Sequence, residues 1–148
     1  MSLHYLKIIS TESSFVPEKV LQDKAKDFLA KLYTEEELEF TTTSAIEFVD
    51  QGENFETVSC NLCGLKMQIE DWQNAMDSAY EKQFTDLQFT TSCCRQSTSL
   101  NDLTYHSSAG FAKFVISISN AYEEIPEKHF HDLQEILNTS LRSIWVHY

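Results

Sequence analysis

Apolar positions along the chain alternate between strand-like and helix-like spacing. Leu3–Ile9 reads as a strand, and Phe15-Val16-Pro17-Glu18 then opens a helix with Pro17 near its first turn. Leu21, Ala25, Phe28 and Leu32 recur at helical spacing. After the acidic stretch Thr34–Glu39, Thr42–Asp50 and Asn54–Ser59 read as the arms of a hairpin turning at Gly52. Ile69, Trp72, Met76 and Ala79-Tyr80 form the apolar stripe of a second helix, with Ile69, Trp72, Met76 and Tyr80 on its core face. Leu87–Ser92 is strand-like. Ser97–Ser108 is a polar loop anchored by Leu100, Leu103 and Tyr105, and Phe111–Ser119 is a strong strand. Pro126 opens a third helix carrying Phe130, Leu133, Ile136-Leu137 and Leu141, and Ile144–Tyr148 returns to strand.

The pattern contains an echo. Ser10 closes the first strand and Pro17-Glu18-Lys19 follows seven residues on; Ser119 closes a later strand and Pro126-Glu127-Lys128 follows at the same distance. Each half then runs through a helix into a strand. A βαβ unit used twice is the physical reading, in a ferredoxin-like split arrangement. The expected fold is therefore α+β: a single domain over 1–148 with a mixed sheet, about three helices and two ferredoxin-like βαβ halves. Between them lies a zinc-knuckle insertion, about 55–106.

Composition narrows the function classes. The chain has 148 residues, 42% hydrophobic and 23% charged, which suits one globular domain. Its 23 acidic and 11 basic residues leave a net charge of -12. No segment is basic, so nucleic acid and anionic membranes are disfavoured as partners. No apolar run approaches a membrane span and no export signal is visible, so a reducing, cytoplasmic setting is expected. The three glycines are dispersed, which excludes the clustered-glycine loops of nucleotide-binding and nucleophile-elbow enzymes.

Cysteine spacing carries the chemistry. Cys60-Asn61-Leu62-Cys63-Gly64 is a CxxCG knuckle, and Cys93-Cys94 follow after a helix and a strand. If strands 54–59 and 87–92 are parallel neighbours joined by that helix, both end at one sheet edge and the four thiols meet there. Four thiolates suit structural Zn²⁺. Adjacent cysteines point apart in an extended chain, so dual ligation requires a bend at 93–94; His106 is the substitute ligand should one of them point away. Buried free thiols and a redox or disulfide role are the competing readings.

These residues resemble a family of small uncharacterised bacterial proteins with a zinc-ribbon or rubredoxin-type knuckle. In that family a CPxCG knuckle and a later PCC pair flank a Trp-containing helix. The resemblance spans about 55–120 and is carried by the CxxCG knuckle, Trp72-Gln73-x-Ala75-Met76-Asp77, Phe84-Thr85-Asp86-Leu87 and Cys93-Cys94. It continues through Ser99-Leu100-Asn101-Asp102-Leu103-x-Tyr105 and Gly110-Phe111-Ala112-x-Phe114. Asn61 and Ser92 stand where the family carries proline, which is expected to loosen the knuckle. The resemblance implies a rubredoxin-type knuckle and no activity.

The other candidates are weaker. His129 and His131 do not share a helix face and read as surface residues. Asp102, Tyr105 and His106 form a polar group near the cysteines, read as loop anchoring. Glu35, Glu36, Glu37 and Glu39 form an acidic run that, with Asp50, Glu53 and Glu56, could face a basic protein. The expected function is a non-enzymatic, zinc-stabilised interaction module such as an inhibitor, immunity factor or adaptor. The alternative is a metal-dependent hydrolase or thiol enzyme using the same cysteines.

Overall fold

The computed structural model describes residues 4–51 and 57–147. Four long strands build the main sheet: β1 (His4–Ser10), β2 (Leu38–Val49), β7 (Gly110–Ser119) and β8 (Leu141–His147). Their order is β2-β7-β1-β8. Helix α1 (Lys19–Leu29) connects β1 to β2, and α3 (Glu127–Leu137) connects β7 to β8. In each half the two strands flank a third, so the repeated split βαβ expected from the Pro-Glu-Lys echo is the observed architecture. The sheet differs from the expected mixed one: every neighbouring pair is antiparallel. The parallel relations survive only between next-nearest strands, because each βαβ half receives the other's strand into its gap.

Local sequence explains the elements. Gln22 Nε2 donates to Pro17 O at 2.9 Å, and Phe130 N–H donates to Pro126 O at 3.0 Å, so each proline sits just before the helix it introduces. Asn138 ends α3 in the left-handed region, φ 54°, a conformation asparagine tolerates. Leu141 therefore belongs to β8 rather than to the helix stripe. Leu6 and Ile8 of β1 and Ile116 and Ile118 of β7 bury against Ala25 and Leu29 of α1 and Leu133 and Leu137 of α3. His129 departs from its expected surface setting: its ring lies 5.9 Å from Phe28, and its buried Nδ1 has no hydrogen-bond partner among the described residues.

The insert occupies the connection between β2 and β7, leaving at Val49 and returning at Gly110, which are register partners. It contains β3 (Val58–Ser59), α2 (Ile69–Glu81), β4 (Gln88–Thr90), β5 (Ser97–Ser99) and β6 (Thr104–Tyr105). The expected Gly52 turn lies outside the described residues. The arm after it pairs elsewhere, since β3 joins β6. The parallel pairing expected between 54–59 and 87–92 is also absent among the described residues, because β4 pairs antiparallel with β5.

The insert has a core of its own. Trp72, Met76 and Ala79 of α2 bury with Leu100, Leu103 and Tyr105 against Ile46, Phe48 and Phe111 of the sheet strands. Phe48 is the hub, with ring centroids 6.0 Å from Trp72, 5.9 Å from Tyr105 and 5.0 Å from Phe111. Ile69 and Tyr80, expected on this face, are 45% and 70% exposed; the buried stripe is narrower because the small insert covers only one side of α2. A polar clasp adds to the aromatic contact. Arg142 Nη1 donates to Asn101 O, Asn101 Oδ1 and Ala109 O at 3.2, 3.1 and 2.7 Å. Gly110 makes this approach feasible, since a Cβ there would lie 2.6 Å from Ile9 Cδ1 and 2.9 Å from Arg142 Nη1.

Candidate metal centre

The four cysteines occupy the tips of two hairpin-like turns. In the first, Met67 N–H bonds Val58 O and Cys60 N–H bonds Leu65 O, both at 2.9 Å, and Gly64 N–H closes the tip on Cys60 O at 3.0 Å. Gly64 has φ +79°, and a Cβ added to it would meet nothing within 4 Å, so the backbone conformation, not space, calls for glycine. In the second, β4 and β5 are joined by a turn over 92–94. Thr91 N–H bonds Gln96 O at 3.0 Å, Arg95 N–H bonds Thr91 O at 2.9 Å, and Arg95 takes φ 55°. That turn supplies the bend that dual ligation by adjacent cysteines requires.

The Sγ atoms of Cys60, Cys63, Cys93 and Cys94 all lie within 4.8 Å of one another. The separations across the two tips are 3.9 Å for Cys60–Cys94 and 3.4 Å for Cys63–Cys93. A disulfide sulfur pair sits at about 2.05 Å, and all four cysteines are free. Four sulfurs about 2.3 Å from one tetrahedral ion would be roughly 3.8 Å apart. The separations across the tips, 3.4 and 3.9 Å, lie near that value, and the four cysteines are close enough to hold a metal ion. The route differs from the expected one: two turn tips face each other, and no shared parallel-sheet edge is involved among the described residues.

Electrostatics agrees with a cation-seeking site. The backbone N–H of Cys63, with help from that of Leu62, lowers the Cys60 thiol to about 7. At Cys63 the Leu65 N–H pulls the same way but is outweighed by the Cys93 thiol, burial and the Cys60 and Cys94 thiols, leaving it raised to about 12. Crowded thiols share one negative charge readily and resist a second; a divalent cation removes that conflict.

The surrounding residues brace the tips. Asn61 Oδ1 accepts from Thr98 Oγ1 at 2.9 Å, and Ser92 Oγ donates to Asp71 Oδ2 at 2.8 Å. The two positions expected to loosen the knuckle instead tie one tip to β5 and the other to α2. Thr91 Oγ1 lies 3.1 Å from Cys94 Sγ. Sequence reasoning missed Thr91, although a hydroxyl three residues before a cysteine inside a turn was the available signal. It also missed Arg142, which has no local signature.

The remaining candidates fall elsewhere. His106 is exposed after β6, its N–H on Thr57 O at 3.1 Å, and stands outside the four-member cluster. Tyr105 points into the core, donating to Leu100 O at 2.6 Å and accepting from Trp72 Nε1 at 3.4 Å; burial pushes its phenol up to about 12. Asp102 and His106 are exposed, whereas the Tyr105 hydroxyl is turned to the core. The acidic run divides. Glu35 and Glu36 are exposed in a short 3-10 turn, while Glu37 accepts from the Thr34 hydroxyl and N–H at 2.7 and 3.0 Å. Glu39 lies on the sheet beside Tyr5 and Lys7. Asp50 is near Lys7 too, and Glu53 and Glu56 lie outside the described residues. No helix among the described residues is long and apolar enough to cross a membrane. Compared with protein-family models, characterised proteins and solved structures, the chain finds no match. The functional reading therefore rests on the geometry.

Proposed function

We propose that this protein is a non-enzymatic interaction module whose insert is held by one structural Zn²⁺ on Cys60, Cys63, Cys93 and Cys94. The observation that carries the reading is the mutual approach of four sulfurs within 4.8 Å. Four protein thiolates fill a tetrahedral sphere, so no position remains for water or substrate, and the metal's charge is overcompensated. The hydrolase alternative needs an open position, and the thiol-enzyme alternative needs a cysteine released from the ion. Zn²⁺ is favoured over Fe²⁺ because it binds such ligands more tightly. The partner in this reading is a basic protein, attracted by the net charge of -12 and met at Glu35, Glu36, Glu37 and their surroundings. The setting is the cytoplasm, where thiols stay reduced.

Elemental analysis of purified protein should find about one zinc per chain, with four thiols protected until a chelator is added. Cobalt substitution should give the intense visible spectrum of a tetrahedral thiolate site. Metal-free protein with four freely titratable thiols overturns the metal, and a water ligand on the ion transfers the site to the hydrolase reading.

A further inference from the structure

A concavity lies at the end of β7 remote from the insert. It is a cavity of about 450 Å³ between the turn leaving α1 and the loop leaving β7, lined by Leu32, Tyr33, Asn120, Tyr122, Glu123 and Glu124. Two features set it apart from an ordinary surface dent. Leu32 and Tyr122 are 38% and 78% exposed, so apolar and aromatic surface is left in water beside the carboxylates of Glu123 and Glu124. Neither lysine nor arginine is among its lining residues; the His4 ring packs against Tyr122 in a tilted contact, centroids 6.0 Å apart. Burial, then Glu37 and Glu124, raise the Tyr33 phenol above its ordinary value; the acidic turn after α1 and the loop after β7 thus act on the same ring.

We propose that this cavity seats an arginine side chain presented by a basic partner protein. Aromatic faces attract a cation, and a guanidinium adds planar stacking and a two-pronged match to a carboxylate that an ammonium lacks. Glu124 is already oriented: its Oε1 accepts from Trp145 Nε1 at 2.6 Å, so less freedom is lost on binding. Glu35 and Glu36, exposed in the adjoining turn, extend the negative field outward from the cavity. The volume accommodates one long side chain and the backbone carrying it. This inference deepens the acidic-partner part of the proposed function and does not depend on the metal.

The test is NMR titration of the full chain, metal retained, with a short glycine-serine peptide bearing two arginines. Matched lysine and glutamate peptides are the controls. Saturable shifts should appear at Leu32, Tyr33 and 120–124. The arginine peptide should bind about threefold tighter than the lysine peptide, and the glutamate peptide not at all. Tyr122→Ala and Glu123→Lys, both in an exposed loop, should weaken binding by about tenfold while leaving the melt and metal content unchanged. Equal affinity for arginine and lysine, or unaltered affinity of both variants, overturns the pocket. So do shifts confined to the Lys7–Glu39 face. If Glu35→Lys/Glu36→Lys slows capture of a basic partner while Tyr122→Ala does not, the acidic-surface reading stands and the pocket falls. Chelated protein should bind the arginine peptide as tightly as untreated protein, because the cavity lies at the end of β7 remote from the cysteines; loss of binding on chelation overturns the pocket as a separate site.

Discussion

Removing the proposed Zn²⁺ should destabilise the protein by an amount set by chain connectivity. The Cys63–Cys93 approach links residues 30 apart in sequence at 3.4 Å. Cross-linking a loop of that length removes roughly 4 kcal/mol of denatured-state entropy. A bound ion acts as such a link, and its loss leaves four thiols in contact but unlinked. Most of the structural metal's binding energy in small fingers is folding energy; here the insert's aromatic core offsets part of it, so roughly 4 kcal/mol is expected rather than complete unfolding. For a chain of this length that corresponds to about 8–16 °C in melting temperature. The assay is calorimetry on matched samples, chelated under reducing conditions and untreated, with metal content measured on each. Hydrogen exchange adds location: the amides of Leu62, Cys63, Leu65 and Arg95 should lose protection first, while β1 and β7 retain theirs. Cys60→Ser and Cys63→Ser should reproduce the chelated melt. An unchanged melt after verified metal removal, or equal deprotection of β1, refutes the reasoning.

Arg142→Met keeps the stem but leaves three acceptors on Asn101 and Ala109 without their donor; a loss of roughly 2–3 kcal/mol should appear in urea unfolding. Tyr105 stays protonated to about pH 12 in the fold, whereas an unfolded tyrosine ionises near 10. The unfolded chain therefore binds fewer protons above pH 10, and this contribution, present below pH 10, should be lost at about 1.4 kcal/mol per pH unit up to about 12. Tyr105→Phe should lack that alkaline component while costing about 1 kcal/mol at neutral pH through the lost bond to Leu100, read by melts across pH 8–12. Gly110→Ala places a methyl against Ile9 and the Arg142 clasp and should cost about 1–3 kcal/mol by calorimetry.

The scaffold was legible because its signals are local and repeated: Pro17 and Pro126 introduce equivalent helices, and Leu6, Ile8, Ile116 and Ile118 alternate over long strands. The insert was less so. β3 and β6 have two residues each and β5 three, too short to carry a period-two pattern, so the pairing partners of Val58 and Phe89 could not be read. The thiol set was nevertheless identifiable, because the Cys60–Cys63 spacing and Gly64 specify a turn tip whatever the pairing. Parallel-edge reasoning brought Cys93 and Cys94 to the same place by a wrong path. Long-range contacts such as Arg142 with Asn101 and Trp145 with Glu124 leave no trace in the order of residues.

The pairing of Val49 with Gly110 has an evolutionary meaning. To the sheet, everything from 50 to 109 is one connection between adjacent strands. Closing a connection costs only about 0.6 kcal/mol more for each doubling of its length, so a lineage can lengthen, shorten or exchange this segment while strand register stays put. What travels with it must be compact and must shield Phe48 and Phe111, the two aromatic rings that the sheet would otherwise present to water. The segment carrying the four cysteines behaves in this respect as a cassette. Its length and content are physically separable from the register of the sheet that carries it, because both ends enter at the single Val49–Gly110 pair.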